Sequence, residues 1–306
     1  MRLALGTIGF GTAVSADDTF AILDRFTEAG GTMIDTANNY PFWVENCTGD
    51  ESEQVIGAWL AARGNRDQVV LSTKAGARPT VPGDRTMGSI EGLSAPAIAK
   101  AAEGSLTRLR TDYIDVYWSH IDDASVPLEE SLGAFAALAE AGTIRRLGAG
   151  NMRTWRLERA RNLSAAHGWI AYSHLQLRHT YLRPRPMTTL AESAHVLASD
   201  ETLEYAAAEK IELWAYNTLM SGSYTRADRP LPESYDHPGT TRRLAVLHEV
   251  AAELGATPGQ VVLAWLLADG HVPVVGVTKL AQLEEAVAAA GLKLDPAQKE
   301  RLDAAA

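Results

Sequence analysis

Four titratable side chains in the sequence could together carry out a proton transfer. Asp35 and Tyr40 lie in the stretch MIDTANNY. Lys74 follows the apolar run VVLST, and His120 follows IDVYWS. A free tyrosine has a pKa of about 10, too high for an effective acid near neutrality, but a nearby ammonium group lowers that pKa and a carboxylate keeps the ammonium charged. The set suits protonation of a carbonyl oxygen while a hydride reaches its carbon, and that hydride requires a cofactor because no side chain donates one.

Each of the four residues also has an ordinary structural role open to it. Tyr40 could pack at the base of a loop, and Asp35 could cap the next turn. Lys74 could be a solvated strand end, and His120 a partly buried histidine with satisfied hydrogen bonds. The four residues taken together favour a functional group over four separate structural roles. A lysine in a barrel mouth is costly to desolvate without an anion, and Asp35 supplies that anion.

Short β-rich runs alternate with amphipathic helical stretches along the chain. The strands we predict are MRLAL, TMID, QVVLST, YIDVYW, IRRLGA, WIAYSHLQ, IELWAY and VPVVGV, of which MRLAL could instead form an N-terminal lid. No linker rich in proline, glycine or serine divides the chain, so we interpret residues 1–306 as a single domain. The length and the alternation predict an α/β fold, a (β/α)8 TIM barrel whose active site lies at the carboxyl ends of the strands.

A doubly wound open sheet is the alternative fold. Gly6, Gly9 and Gly11 in GTIGFG suggest a dinucleotide fingerprint, and Asp35 lies 24 residues beyond Gly11, near where a ribose-binding acid is expected. The order of these glycines is GxxGxG, however, and not the GxGxxG that brings the backbone against a pyrophosphate. A tight turn at the start of the chain would explain them without a nucleotide.

The composition excludes several classes of function. The formal net charge of -10 and the pI near 5.3 leave no general positive field, so we expect no nucleic-acid partner. Cys47 is the single cysteine, so it cannot form an intramolecular disulfide or a structural zinc site, and we predict no metal and a reducing, cytoplasmic location. No apolar run approaches the roughly 20 residues that cross a bilayer, so we expect no membrane association.

Three motifs, IDTANNY, LSTKAG and YWSHID, resemble the catalytic motifs of the aldo-keto reductases. The resemblance covers nearly the whole chain, from LGTIGFGT to VTKLAQLEE. It implies a (β/α)8 barrel that uses NAD(P)H, with Tyr40 as general acid and base. It also implies that Lys74 and Asp35 tune the tyrosine and that His120 orients the substrate carbonyl.

The resemblance further implies a binding site for the nicotinamide. Asn151 matches the second residue of a pair that binds the carboxamide, whereas the first residue, usually serine, is Gly150 here. Gln176 matches the glutamine that holds the other side of the carboxamide. Tyr216 matches the aromatic residue that stacks on the nicotinamide ring.

Other matches imply contacts with the rest of the cofactor. The implied residues are Gly6 and Thr7 near the N-terminus, Leu219 and Ser221 at the pyrophosphate, and Gly276, Thr278, Lys279, Gln282 and Glu285 around the adenosine end. An arginine common in the family is replaced by Gln282. Lys279 could still pair with a 2′-phosphate as a point charge, so we expect NADPH rather than NADH.

Aromatic residues suggest the type of substrate. Phe42 and Trp43 follow Tyr40 in the same loop, and Trp118 lies two residues before His120, on the same side of a strand. They favour a cyclic or aromatic aldehyde or ketone, although packing within the loop would explain them equally well.

Two further functions stay open at this stage. A nucleotide-sugar ketoreductase would read hydroxyls or a phosphate with polar residues, for which the candidates are Asn38, Asn39, His179, Arg183 and Arg185. A cofactor-binding regulatory subunit that resembles the potassium-channel β subunits of the same family would keep the same four catalytic residues. In either case we expect a small-molecule ligand and a monomer or small homo-oligomer.

Overall fold

Eight parallel strands close into a barrel in the computed structural model, which describes residues 1–188 and 194–305. In chain order the strands are β1 (Ala4–Gly6), β2 (Met33–Asp35), β3 (Val70–Ala75), β4 (Ile114–Ser119), β5 (Ile144–Gly150), β6 (Tyr172–Arg178), β7 (Glu212–Tyr216) and β8 (Val272–Gly276). The predicted TIM barrel is confirmed. The doubly wound open sheet is wrong because β1 pairs with β8 and closes the sheet, and the MRLAL segment therefore forms a strand and not a lid.

Helices alternate with these strands. They are α1 (Ala16–Glu28), α2 (Glu51–Arg63), α3 (Ala95–Leu109), α4 (Leu128–Glu140), α5 (Thr154–His167), α6 (Asp200–Ala208), α7 (Pro238–Leu254), α8 (Pro258–Ala268), α9 (Leu280–Gly291) and α10 (Pro296–Ala304). In α1, the side chains of Ile22, Leu23 and Phe26 are buried, as their helical spacing predicts. Within the two described ranges, no single helix is long and apolar enough to cross a bilayer, although α7 and α8, bent by 96°, pass that test as a pair.

The register of the strands aligns their carboxyl ends at one rim. Gly6 pairs with both Asp35 and Gly276, so the ends of β1, β2 and β8 lie side by side. Asp35 in turn pairs with Ser72, two residues before Lys74. Residues that are far apart in sequence therefore converge at this rim, as parallel strands require.

The inside of the barrel is filled by side chains. Trp118 packs edge to face on Trp214, with ring centroids 5.4 Å apart, among the smaller Val116 and Val274. No Cβ atom fits at Gly148, because it would lie 2.2 Å from Cε3 of the Trp118 ring. Trp118 is 0% exposed, so it forms the packed floor beneath the rim and not the open substrate wall predicted from its position in the sequence.

Candidate active site

The four predicted catalytic side chains meet at the carboxyl end of the barrel. Asp35 ends β2, Lys74 lies near the end of β3, and His120 directly follows β4. The Nζ atom of Lys74 lies 2.7 Å from Oδ2 of Asp35 and 5.0 Å from the centroid of the Tyr40 ring. The rings of Tyr40 and His120 meet edge to face with their centroids 5.7 Å apart. The loop after β2 therefore brings Tyr40 back over the mouth of the barrel.

Three side-chain donors surround the carboxylate of Asp35. Its Oδ2 accepts from Lys74, and its Oδ1 accepts from Oγ of Ser72 at 2.7 Å and from Nε2 of Gln176 at 3.2 Å. Lys74 Nζ also donates to the carbonyl oxygen of Thr36 at 2.7 Å. The amide of Gln176, expected at a carboxamide, thus bonds to the catalytic carboxylate in this structure.

The lysine stays charged at this position. The side chains of Lys74 and Asp35 are only 1% and 3% exposed. Burial lowers the pKa of Lys74, but the charge of Asp35 together with Tyr40 and their hydrogen bonds outweighs burial, so this pKa lies above its ordinary value. Asp35 therefore acts on Lys74 in the direction predicted from the sequence.

The pKa of Tyr40 moves in the direction opposite to our expectation. Burial raises it, and this effect outweighs the lowering caused by the charge of Lys74, while the charge of Asp35 adds a further increase. The sequence predicted the effect of the Lys74 charge, but the desolvation of the phenol depends on the tertiary packing around it. Tyr40 is consequently protonated near neutrality, which is the form that a general acid needs.

His120 is neutral near neutrality. Burial, and then the neighbouring Lys74 and His195, lower the pKa of His120 well below its ordinary value. Its Nδ1 is buried and has no hydrogen-bond partner among the described residues. A neutral ring with its proton on Nε2 leaves Nδ1 as a bare acceptor and can donate one hydrogen bond to a substrate oxygen.

The structure explains why glycine ends β5 where the resemblance leads us to expect serine. A Cβ atom on Gly150 would lie 2.5 Å from the carbonyl oxygen of His120 and 2.8 Å from that of Ser119. The next residue, Asn151, donates from Nδ2 to the His120 carbonyl oxygen at 3.1 Å. Its Oδ1 accepts from the hydroxyl of Tyr216 at 2.8 Å. These contacts join the residues expected at the nicotinamide to the catalytic histidine.

The loop after β7 and the starts of α8 and α9 meet on one side of the rim. Ser221 is exposed, with a φ of 56°. Leu219 packs at the start of α8, where a Cβ atom on Gly259 would lie 3.6 Å from its Cδ2. Thr257, the N-cap of α8, donates its hydroxyl to Oε1 of Glu285 on α9 at 2.6 Å. The start of α8 is thus bonded to α9 beside the loop after β7.

The side chain of Gln282 occupies the start of α9. Its Oε1 accepts from the backbone N–H groups of Thr278 at 2.7 Å and of Lys279 at 3.2 Å. Gly276 ends β8 just before them and is exposed, as is Lys279. Since two N–H groups at this helix start are already bonded, the cation of Lys279 is the group that this segment offers to a phosphate.

The side chain of Thr7 does not face the mouth of the barrel. It is fully buried, and its hydroxyl donates to the carbonyl oxygen of Asp35 at 3.0 Å and bonds to Oγ of Ser52 at 2.8 Å. Thr7 therefore holds the ends of β1 and β2 against α2, and the structure gives it this role in place of the cofactor contact that we predicted. Gly6, by contrast, is partly exposed at the rim.

Two aromatic residues stand beside the catalytic tyrosine. The rings of Trp43 and Tyr40 meet edge to face with centroids 6.1 Å apart, and Trp43 is 41% exposed. Phe42 is buried behind Trp43, with ring centroids 5.1 Å apart. The indole of Trp43 is thus the aromatic surface next to the phenol that a substrate can reach.

Four of the five polar residues considered for a nucleotide-linked sugar have side-chain partners within the protein. The side-chain bonds are Asn38 to Glu91, Asn39 to Ala77, Arg183 to Asp200, and Arg185 to Glu233 and Asp236. His179 is buried with its ring 5.5 Å from that of His271, and its Nε2 has no hydrogen-bond partner among the described residues. The nucleotide-sugar ketoreductase stays a prediction.

Sequence reasoning missed two residues that contact the site. Ser72 lies two residues before Lys74, so the period of a strand places both side chains on one face. This spacing could have identified Ser72 from the sequence. Glu91 bonds to Asn38 across a separation of 53 residues. No local pattern marks Glu91, because the pairing of β2 with β3 brings Asn38 and Gly76 to it.

Comparisons with known proteins agree with this geometry. Residues 2–306 match the Aldo/keto reductase family. Norsolorinic acid reductase stcV of Emericella nidulans is 31% identical over 308 residues, which cover 95% of this chain and 74% of that protein. Aldo-keto reductase str7 of Strobilurus tenacellus is 32% identical, with 95% of this chain and 82% of that protein covered. Protein tas of Escherichia coli is 28% identical, with 95% of this chain and 90% of that protein covered.

The family match starts before β1 and continues beyond α10. It therefore includes each strand end that contributes to the group around Asp35 and Lys74, and not only the general barrel architecture. This chain belongs to the aldo/keto reductase family and is an NAD(P)H-dependent oxidoreductase.

Proposed function

We propose that the protein reduces an aldehyde or ketone to an alcohol with NADPH, and that Tyr40 supplies the proton. The observation that carries this proposal is the charged, desolvated Lys74 beneath the phenol, 2.7 Å from Asp35. The relatives named as reductases support reduction as the direction. When bound, the nicotinamide supplies the hydride.

The proton leaves from Oη of Tyr40 and reaches the carbonyl oxygen of the substrate. The raised pKa of the tyrosine keeps the phenol protonated until a substrate is present. As negative charge develops on the phenolic oxygen, the Lys74 ammonium stabilises it through space. Asp35 holds the lysine charged and in place, so this stabilisation requires no rearrangement during the reaction.

His120 orients the carbonyl group. A neutral imidazole donates a hydrogen bond to the substrate oxygen without competing with Tyr40 as a proton source. The two rings lie in edge-to-face contact, and we propose that both reach one substrate oxygen. In this role His120 is an orienting donor and Tyr40 is the acid.

Asn151, Gln176 and Tyr216 are the residues that we propose to hold the nicotinamide. Their side chains lie next to the catalytic group, since Gln176 bonds to Asp35 and Asn151 bonds to the His120 carbonyl oxygen. These residues would hold the nicotinamide beside Tyr40. We propose that Leu219 and Ser221 would hold the pyrophosphate.

The preference for NADPH rests on Lys279. It is exposed at the start of α9, next to Thr278, where the adenosine end is expected. Its ammonium pairs with a 2′-phosphate, which NADH lacks. Gln282, Glu285 and Gly276 complete this end of the proposed cofactor site.

We further propose that the substrate carries a ring. The exposed face of Trp43 lies beside Tyr40, and Phe42 supports it from behind. Aromatic side chains favour flat apolar partners through burial and ring packing. Cyclic and aromatic aldehydes and ketones should therefore be better substrates than short aliphatic ones.

The proposal is tested with the Tyr40→Phe variant. General acid catalysis contributes roughly 100- to 10,000-fold to a rate, so turnover of a responsive carbonyl compound should fall at least about 100-fold. Fluorescence titration should show that the variant still binds NADPH, and that the wild-type protein binds NADPH more tightly than NADH. The Tyr113→Phe variant is the matched control, because Tyr113 precedes β4 at the opposite end of the barrel, where it packs against Arg66 and Arg145. Wild-type turnover by the Tyr40→Phe protein would refute the role of the phenol.

A further inference from the structure

A two-stranded ribbon, residues 78–91, stands between β3 and α3 beside the mouth of the barrel. Pro79 and Ile90 form an antiparallel bridge, and the backbone N–H of Glu91 donates to the carbonyl oxygen of Arg78 at 2.8 Å. The ribbon begins four residues after Lys74. Its base is therefore close to Lys74, and Arg85 at its tip lies 3.9 Å from Oε1 of Glu45, which follows Tyr40 in the loop after β2.

One carboxylate oxygen at the base of the ribbon bonds to two segments of the active site. The Oε1 atom of Glu91 accepts from the backbone N–H of Gly76 at 2.7 Å and from Nδ2 of Asn38 at 2.8 Å. Gly76 lies two residues after Lys74, and Asn38 lies two residues before Tyr40. Glu91 thus joins the strand that carries the lysine to the loop that carries the tyrosine.

Two further hydrogen bonds join the loop that carries Tyr40 to residues 77 and 78. Arg78 donates from Nη1 to the carbonyl oxygen of Asn38 at 2.6 Å, and Asn39 donates from Nδ2 to the carbonyl oxygen of Ala77 at 2.9 Å. Both asparagines are buried. Because a buried amide without an acceptor is unfavourable, the amide of Asn38 depends on Glu91 to keep its conformation. The ribbon and the residue before it therefore add side-chain bonds to the backbone bonds that the loop makes within itself.

We propose that Glu91 is a positioning residue that sets the distance between the Tyr40 phenol and the Lys74 ammonium. This inference rests on the proposed function, in which that distance controls the proton transfer. Glu91 does not touch the four catalytic side chains in the described structure, and it acts through Asn38 and Gly76. A reacting group displaced by about 1 Å loses up to about 100-fold in rate, so loss of this contact should affect turnover more than cofactor binding.

Three variants test the role of Glu91. Glu91→Ala removes the acceptor, whereas Glu91→Gln removes the charge and keeps one acceptor oxygen for Gly76 and Asn38. Asp84→Ala is the matched control, because Asp84 bonds to Thr86 and Ser89 at the tip of the same ribbon and contacts neither segment of the active site.

We expect Glu91→Ala to lower kcat about 10- to 100-fold with the Kd for NADPH unchanged within about twofold. Glu91→Gln and Asp84→Ala should keep kcat within about threefold. Hydrogen–deuterium exchange should be faster in Glu91→Ala for a peptide covering residues 36–44, and unchanged there in the other two variants.

Equal losses of kcat in Glu91→Ala and Asp84→Ala would overturn the inference, because they would reflect general damage to the ribbon. Unchanged exchange at residues 36–44 in Glu91→Ala would overturn it as well. If the wild-type protein binds NADPH but reduces no carbonyl compound, the proposed function fails, and the exchange measurement still decides whether Glu91 holds the loop.

Discussion

The buried pair of Asp35 and Lys74 allows a quantitative prediction for the Asp35→Asn variant. The wild-type carboxylate has two oxygens that accept from Lys74, Ser72 and Gln176. Asparagine has one acceptor oxygen, and its NH2 group must face at least one of these donors. The variant therefore removes the negative charge and requires Ser72 and Gln176 to reorient if the asparagine oxygen accepts from Lys74.

The size of the effect follows from the geometry of the pair. At 2.7 Å between Lys74 Nζ and Asp35 Oδ2, unit charges interact with about 6 kcal/mol at an effective dielectric constant of about 20. The bond from Lys74 to the Thr36 carbonyl oxygen stays and offsets part of this loss. Removal of one partner from a buried pair typically costs about 3–5 kcal/mol, and we expect the free energy of unfolding to fall by that amount near neutrality.

The pH dependence provides a second signature. In the wild-type protein the pKa of Lys74 is raised, so the pair contributes stability that is present below the unfolded-state pKa and is lost as pH rises through the folded-state pKa. In Asp35→Asn the lowering by burial is no longer opposed by that carboxylate, so the folded-state pKa falls below the unfolded value. Deprotonation then relieves the unpaired charge, and the stability difference between wild type and variant should shrink as pH rises toward the unfolded-state lysine pKa of about 10.4.

Urea denaturation of four proteins measures these effects: wild type, Asp35→Asn, Lys74→Met, and the double variant. Lys74→Met leaves Asp35 with the donors Ser72 and Gln176 and should be less destabilising than Asp35→Asn. The double variant contains no unpaired charge, so its loss should be smaller than the sum of the two single losses by about 1–3 kcal/mol. Additive losses, or a destabilisation below about 1 kcal/mol in Asp35→Asn, would refute the description of the pair as buried and coupled.

Two further predictions concern β5 and the histidine after β6. Gly150→Ser should lower the free energy of unfolding by about 1–3 kcal/mol and reduce turnover, because the new Cβ would lie 2.5 Å from the His120 carbonyl oxygen. Thermal melting measures stability, and fluorescence titration measures NADPH binding. Tighter NADPH binding with unchanged stability would contradict this prediction. Burial lowers the pKa of His179 to about 3. Below the ordinary histidine pKa of about 6.5, the unfolded chain therefore binds a proton that the folded protein does not bind. Acidification should lower the free energy of unfolding by up to about 1.4 kcal/mol per pH unit. His179→Gln should reduce that slope in urea denaturation between about pH 6 and about pH 4, and an identical slope would show that this histidine does not contribute.

Local patterns in the sequence were sufficient to predict the barrel and the meeting of Asp35, Tyr40, Lys74 and His120 at one rim. Strands alternate with helices because each element shows its own periodicity, and parallel strands place their carboxyl ends together whatever lies between them. Asp35, Lys74 and His120 could therefore be assigned to one rim from their positions at successive strand ends. That prediction requires only the direction and the order of the strands.

Only the tertiary structure determined the packing and hydrogen-bond partners of each predicted residue. A period of two places Trp118 on the side of the strand that faces the barrel interior, but only the packing against Trp214 shows that no surface of it is exposed. Likewise, the neighbours of Thr7 come from α2, and the acceptor for Asn38 comes from Glu91. Periodicity reports the face on which a side chain lies and carries no information about its partner.

The pKa of Tyr40 depends on one interaction that the sequence predicted and on packing that only the tertiary structure shows. The sequence by itself determined that a lysine would lie near this tyrosine, and with it the sign of that one interaction. The net shift is the sum of that interaction and the desolvation of the phenol, and desolvation depends on every atom packed around the site. The sequence thus predicted which titratable side chains lie together at the rim, whereas the net shift of each pKa is a property of the folded barrel.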